Sequence, residues 1–380
     1  MNILRRLQLS RLLLLCGVVV AVGIGVTALA LAVGTGPTPP PKPLADAVHD
    51  GLSTQRVSGV SARITFTNHL FEGANLASGG GEASQLAASP LLSGASGRLW
   101  IGSDGHSRLE LQSEKGDTQI LYDGKTVSLY DAATNTLYRY TPPSQPAGVD
   151  SQSAGSSVPA DSSLGGATDH KIPSVAQIEE GIARLGKHAN LSGATPTNVA
   201  GQPAYTARIS PRENGGLIGG AELSWDAVHG VPLRAAVYST TSASPVLELA
   251  ASEIAYGAVD SSTLDFTPPA NTKIEEVTLP TKPGSSTPGS STNSADKPHV
   301  STHGSGLAAI TLVEDPSKAG EKESANSPLE GLQKVKINGT SASELPTQLG
   351  TLLSFERAGV RYLLVGSVTP ASIEAFARGL

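Results

Sequence analysis

Two short stretches carry residue types that chemistry uses. HVSTH sets His299 and His303 four residues apart, a spacing that can hold a metal when it falls on a helix. Pro298 comes directly before it and no glutamate stands between the two imidazoles, so the stretch is not read as a metal site. SDGHS groups Asp104, His106 and Ser107. A catalytic triad is assembled from distant positions around a supported nucleophile, whereas Ser-Asp-Gly is turn chemistry, so a hairpin loop is expected there. GGGE at 79–82 has no strand before it that would make a phosphate cradle, and there is no G-x-S-x-G, P-loop or dinucleotide fingerprint. No catalytic residue, metal site or cofactor is assigned, and the chain is read as a non-enzyme.

The elements around these stretches say more. Of 380 residues, 42 are Gly and 26 Pro, gathered with Ser, Thr and Ala into long stretches, so the folded part is smaller than the length suggests. Net charge is only -6 and the 27 basic residues form no long run, which excludes a nucleic-acid partner. Residues 1–36 read as a basic stub followed by a transmembrane or signal-anchor helix. Arg5, Arg6 and Arg11 precede an unbroken apolar run from Leu12 to Val33, and the charge asymmetry places the rest of the chain outside the cell membrane. Ala28-Leu29-Ala30 offers a cleavage pattern that would free the chain as a secreted protein. Cys16 lies inside the apolar run behind the bulky Leu15 and reads as a membrane-buried thiol; as the single cysteine it forms no intrachain disulfide.

Leu44, Ala47, Val48 and Leu52 fall at helical spacing, and the period then changes to two in VSARITFTNHLF, where Val60, Ala62, Ile64 and Phe66 share one face. Residues 73–97 read as a long loop. GRLWIGS, SRLELQS, DTQILYD, KTVSLYD and TLYRYTP predict a meander of five strands, with Asp123-Gly124 as a two-residue hairpin turn whose central residues take positive φ. Residues 144–171 are poor in anything that could bury. Ser174 with Gln177 three residues on predicts a capping box opening a helix whose stripe is Val175, Ile178, Ile182 and Leu185, expected to lie across the sheet. AYTARIS, AELSWDAVHG, VPLRAAVYST, PVLELAASEIAYG and LDFTPP read as a second set of strands, and His229-Gly230 as a turn. Residues 279–298 are a linker. Within 299–380, GLAAITLV, QKVKING, TLLSFER and VRYLLVGS read as strands, and Thr369-Pro370 opens a last helix.

The run GRLWIGSDGHSRLEL, ILYDGKTVSLYD and TLYRYTPP, followed by VHGVPLRAAVYS and LDFTPPA, resembles the LolA-like lipoprotein-carrier superfamily over residues 44–269. HGSGLAAITLVED and VRYLLVGSVTPASIEAFA are similar to the small second domain of MucB/RseB-type regulators of extracytoplasmic sigma factors, and the two-domain order matches them. The resemblance implies an α+β fold: a strongly curved antiparallel half-barrel over residues 37–278 with helices covering its open side, and a small α+β domain at 299–380. It also implies an apolar cavity taking a lipid or lipoprotein acyl chain.

Each buried methylene contributes about 0.8 kcal/mol, so one enclosed chain gains on the order of 10 kcal/mol. The candidate lining residues are Leu99, Ile101, Leu109, Leu111, Ile120, Tyr122, Val127, Leu129, Leu223, Trp225, Val237, Leu247 and Leu249. All thirteen would serve equally in a filled core. A charge at Leu129 separates the two cases: lost binding in a folded domain marks a cavity, and lost folding marks a core. The implied roles are a tethered carrier or sensor of acyl chains, an envelope-stress regulator holding a membrane anti-sigma factor, or an interaction platform without a ligand.

Overall fold

The computed structural model describes residues 36–55, 57–72, 90–114, 116–142, 172–213, 215–277, 299–316 and 332–380. The apolar run 12–33 with Cys16, the stretches 73–89 and 144–171 and the whole linker 279–298 lie outside them. Among the described residues no helix is long and apolar enough to cross a membrane. The fold is mixed α+β, mostly sheet, and its larger part is one curved sheet of thirteen strands.

The first helix, α1, is Leu44–Ser53, and β1 follows at Gly59–Asn68. Residues 90–97, read as loop, instead form a helical turn, α2 (Pro90–Ser93), and the start of β2 (Ala95–Gly102). The meander continues with β3 (Ser107–Ser113), β4 (Gly116–Tyr122), β5 (Val127–Asp131) and β6 (Thr136–Tyr140). Between β4 and β5 the two-residue turn is not formed. Tyr122 pairs with Val127, leaving a four-residue loop in which the Asp123 carboxylate accepts from the Lys125 and Thr126 amides, at 2.9 and 2.7 Å, and Gly124 alone takes positive φ. An aspartate that caps the loop through its side chain has no need of a left-handed backbone.

Helix α3 (Val175–Leu185) carries the expected capping box between Ser174 and Gln177. Short strands β7 (Ala189–Leu191) and β8 (Thr195–Val199), too polar to read as strands, precede β9 (Gln202–Pro211), β10 (Ile218–Asp226), β11 (Pro232–Ser239) and β12 (Pro245–Tyr256). LDFTPP is not a strand. A turn of helix, α4 (Ser261–Leu264), leads into an extended strap, and β13 (Lys273–Glu276) forms further on, parallel to β6. The strand order is β13-β6-β5-β4-β3-β2-β1-β12-β11-β10-β9-β7, with β8 on β9.

The C-terminal sheet has six strands: β14 (His299–His303), β15 (Ile310–Pro316), β16 (Gln333–Ile337), β17 (Thr340–Pro346), β18 (Thr351–Arg357) and β19 (Val360–Gly366), in the order β14-β15-β19-β18-β17-β16. Helix α5 (Pro370–Arg378), capped by Thr369 with Pro370 in its first turn, seals one face. Leu353, Leu364, Ile373 and Ala377 are fully buried there. Among the described residues this sheet touches the larger one at two places. Phe71, just past β1, packs against Leu332, Leu345 and Leu352, beside a hydrogen bond from the Gln348 amide to the Leu70 carbonyl at 2.9 Å. The Leu217 amide, just before β10, donates to the Ser367 carbonyl at 2.7 Å.

Candidate functional site

Residues directly opposite in an antiparallel pair share a face, so register tells which side chains meet. One row runs Leu99, Leu109, Ile120, Leu129, Tyr138 across β2–β6, and the next Ile101, Ser107, Tyr122, Val127, Tyr140. Across the other half, Phe66, Leu249, Ala235, Leu223 and Ala207 form a row, with Leu247, Val237, Ala221 and Ile209 beside it. Gly97 and Leu111 complete the first half, and Trp225 pairs with Tyr205. All thirteen candidate lining residues therefore stand on one face. Phe66, Tyr138, Tyr205 and Ile209 belong to it as well; the alternation in TLYRY and AYTARIS carried that signal.

The burial along this face is uneven. Leu111, Val127, Leu129 and Trp225 are buried. Leu99, Ile101, Leu109, Ile120, Tyr122, Val237, Leu247 and Leu249 are half-buried, and Leu223 is 41% exposed. Leu129, at 3% exposure, is a poor place to test for a cavity, because an unpaired charge there would cost folding in either case. Over β1–β6 and β9–β12 the only charged residue on this face is Asp131, and its carboxylate is occupied by the Ala133 amide at 3.0 Å and the Thr134 hydroxyl at 2.9 Å. A Lys273–Glu275 ion pair closes the far edge on β13.

Two helices pack on the face, and a third lies beside it. α1 buries Ala47 against Tyr205 and Trp225, and its Gly51 lies so close to the β10–β11 turn that a Cβ on Gly230 would come within 2.0 Å of the Gly51 carbonyl oxygen. Leu91 of α2 packs beside Ile64 and Leu111. Helix α3 behaves differently from expectation: rather than lying across the sheet, it leans on α1 and β7, with Val175, Ile178 and Ile182 half-buried and none of its residues fully buried. Leu185 and nearby Ile172 are largely exposed, as is Leu52 on α1.

The reverse face is ionic. Glu222 binds Arg234, accepts from Arg208 at 2.9 Å and from the Tyr238 hydroxyl at 2.7 Å, while Arg234 also reaches Glu248 at 3.1 Å. Burial pushes the Glu222 carboxyl up, but the hydrogen bonds from Tyr238, Arg208 and Arg234 outweigh it and hold the group below the ordinary carboxylate range. The 261–276 strap crosses this face. Arg108 donates to the Thr263 and Asp265 carbonyls at 3.0 and 2.9 Å, and Phe266 lies 5.2 Å from the Tyr130 ring.

The other candidate groups stay apart. His106 pairs with Asp104 at 3.1 Å within its turn. His299 and His303 lie on β14, where His299 meets Glu314 at 3.2 Å and His303 meets Ser301 at 3.0 Å; among the described residues no cluster of ligating side chains could hold a metal.

No family model matches the chain, and no curated protein matches it either. Solved structures do. The Pseudomonas aeruginosa MucA/MucB complex is 16% identical, with a TM-score of 0.43, over 88% of this chain and 96% of that one. MucB alone is 14% identical, with a TM-score of 0.37, over the same shares. A LolA superfamily protein from Nitrosomonas europaea is 7% identical, with a TM-score of 0.19, over 85% and 90%. The chain is similar to solved structures of MucB and of the LolA superfamily.

Proposed function

We propose that this protein is tethered to the outer face of the cell membrane by residues 12–33 and holds a lipid or lipoprotein acyl chain, as carrier or sensor, in a half-barrel formed by the large sheet. The observation that carries the reading is the apolar face itself. Thirteen apolar residues share it, eight of them only half-buried and Leu223 exposed, and the neighbouring helix α3 leaves Val175, Ile178 and Ile182 half-buried and Leu185 exposed. A filled core would bury both. An acyl chain supplies the missing apolar surface at about 0.8 kcal/mol per methylene, and the near absence of charge on this face suits a ligand recognised by its tail. The test is displacement of a fluorescent long-chain fatty acid by the wild type and by Leu109→Asp and Leu249→Asp. The reading expects tight binding by the wild type and its loss in two variants that still melt cooperatively. Absence of binding by the wild type refutes it.

A second reading is an envelope-stress regulator of MucB/RseB type that grips the outer part of a membrane anti-sigma factor. It is favoured by the sequence resemblance of residues 299–380, which form a second sheet held to the first at Phe71 and Leu217. MucB itself has been solved with MucA. Co-purification of a single-pass membrane protein with the full chain from native membranes would support it, and purification without one would count against it.

A further inference from the structure

We infer that the ionic face carries an oxyanion-binding site where β12, β1 and β2 meet. The register there sets Arg63 directly opposite Arg98, with Glu253 across from Arg63 on the other side. Like charges opposite one another destabilise a sheet, so the pair needs a reason. Glu253 satisfies Arg63 at 3.1 Å. Glu110, across from Arg98 on β3, is drawn instead to Arg108 at 2.5 Å. Arg98 is thus left exposed, with neither ion pair nor hydrogen bond among the described residues.

The backbone bends at the same place. The β1–β12 register shifts between Arg63 and Ile64, so that Ser252 is the extra residue of a bulge. Bulges bend and twist a strand and re-aim its side chains. The result is a depression of about 300 Å³ lined by Ser61, Arg63, Arg98, Trp100, Glu253 and Ala255. Ser61 and Trp100 are themselves opposite each other, one step along from the arginine pair.

The chemistry this offers is specific. A free guanidinium presents a planar fork that matches a carboxylate or phosphate through two parallel N–H donors, and because Glu253 neutralises Arg63, Arg98 supplies the depression's single net positive charge. Ser61 contributes a hydroxyl donor, and the Trp100 indole a flat apolar wall for whatever bears the anion. The ligand class is a single oxyanion, phosphate or carboxylate, free or on a lipid headgroup. The site lies on the face opposite the proposed acyl cavity and does not depend on it.

Trp100 is one of only two tryptophans in the chain and so reports on its own site. The full-length protein is titrated with inorganic phosphate, with acetate, and with phosphatidylglycerol vesicles against phosphatidylcholine vesicles, following tryptophan emission. Trp100→Phe identifies which part of the signal comes from the depression. The expected result is a saturable change that disappears in Trp100→Phe and shifts at least about tenfold to higher ligand concentration in Arg98→Gln, as loss of a charge-assisted bidentate contact implies. Saturation by phosphate or acetate assigns a free anion; saturation by phosphatidylglycerol vesicles alone assigns the headgroup. No saturable change with any of the four, or an unaltered titration in Arg98→Gln, overturns the proposal.

Discussion

The two sheets of this molecule are built from the same parts and end differently. Each is antiparallel in the main and each has a capped amphipathic helix beside it. In the C-terminal sheet α5 inserts Ile373 and Ala377 between Leu353, Phe355 and Leu364, and the core closes completely. Beside the larger sheet α3 has an equally good stripe, yet it leans on α1 and leaves that stripe only half-buried at Val175, Ile178 and Ile182 and exposed at Leu185. The smaller sheet is spanned by one helix, whereas the larger one is wide and curved, and α1 and α2 cover only parts of it. A half-buried apolar face beside a half-buried helical stripe is what the proposed ligand-binding half-barrel would need.

The largest effects that would sharpen this contrast are in the closed core. Leu364→Ala should cost about 2–5 kcal/mol, whereas Leu109→Ala on the open face should cost well under half of that, because a half-buried leucine leaves no sealed cavity. Chemical denaturation of both variants checks this, and equal costs would break the comparison. The helices should differ in the same direction. Ile373→Ser should unfold the C-terminal sheet, while Ile178→Ser in α3 should stay within about 1 kcal/mol of the wild type and weaken fatty-acid binding instead. Ser174→Ala removes the capping box and should cost about 1 kcal/mol of local stability in α3, read by faster hydrogen exchange there and nowhere else.

The smallest effect is the response to acid, and it has opposite signs in the two regions. Glu222 is held below its ordinary value of 4.5, so its contribution is complete above that pH and is lost as pH falls through the lowered value. Glu344 is buried beneath α5, and burial together with nearby Glu374 pushes its carboxyl up from 4.5. The C-terminal sheet therefore gains stability as pH falls through that raised value. Exchange protection should rise in β17 and β18 before it falls in β10–β12, and Glu344→Gln should abolish the rise.

Much of this was legible in the sequence, for reasons that can be named. Period-two alternation placed thirteen side chains on one face because a strand has no other way to point them. Ser174 and Gln177 announced α3 because a capping box is local. The strand β17, TSASELP, was hidden because its buried positions hold Ala342, Ser343 and Glu344, leaving Leu345 as its single large apolar residue. The β4–β5 loop misled because Asp-Gly serves a side-chain cap as readily as a left-handed turn. Whether the face is open was illegible, since it depends on where α3 comes to rest and not on any residue of the sheet.

The most direct test of the open face is native mass spectrometry with lipid extraction on the protein purified from membrane-containing bacterial lysate without strong detergent. The account predicts a co-purifying acyl lipid at close to one per chain. A clean ligand-free mass that also refuses added lipids would contradict it and leave the large sheet an interaction platform.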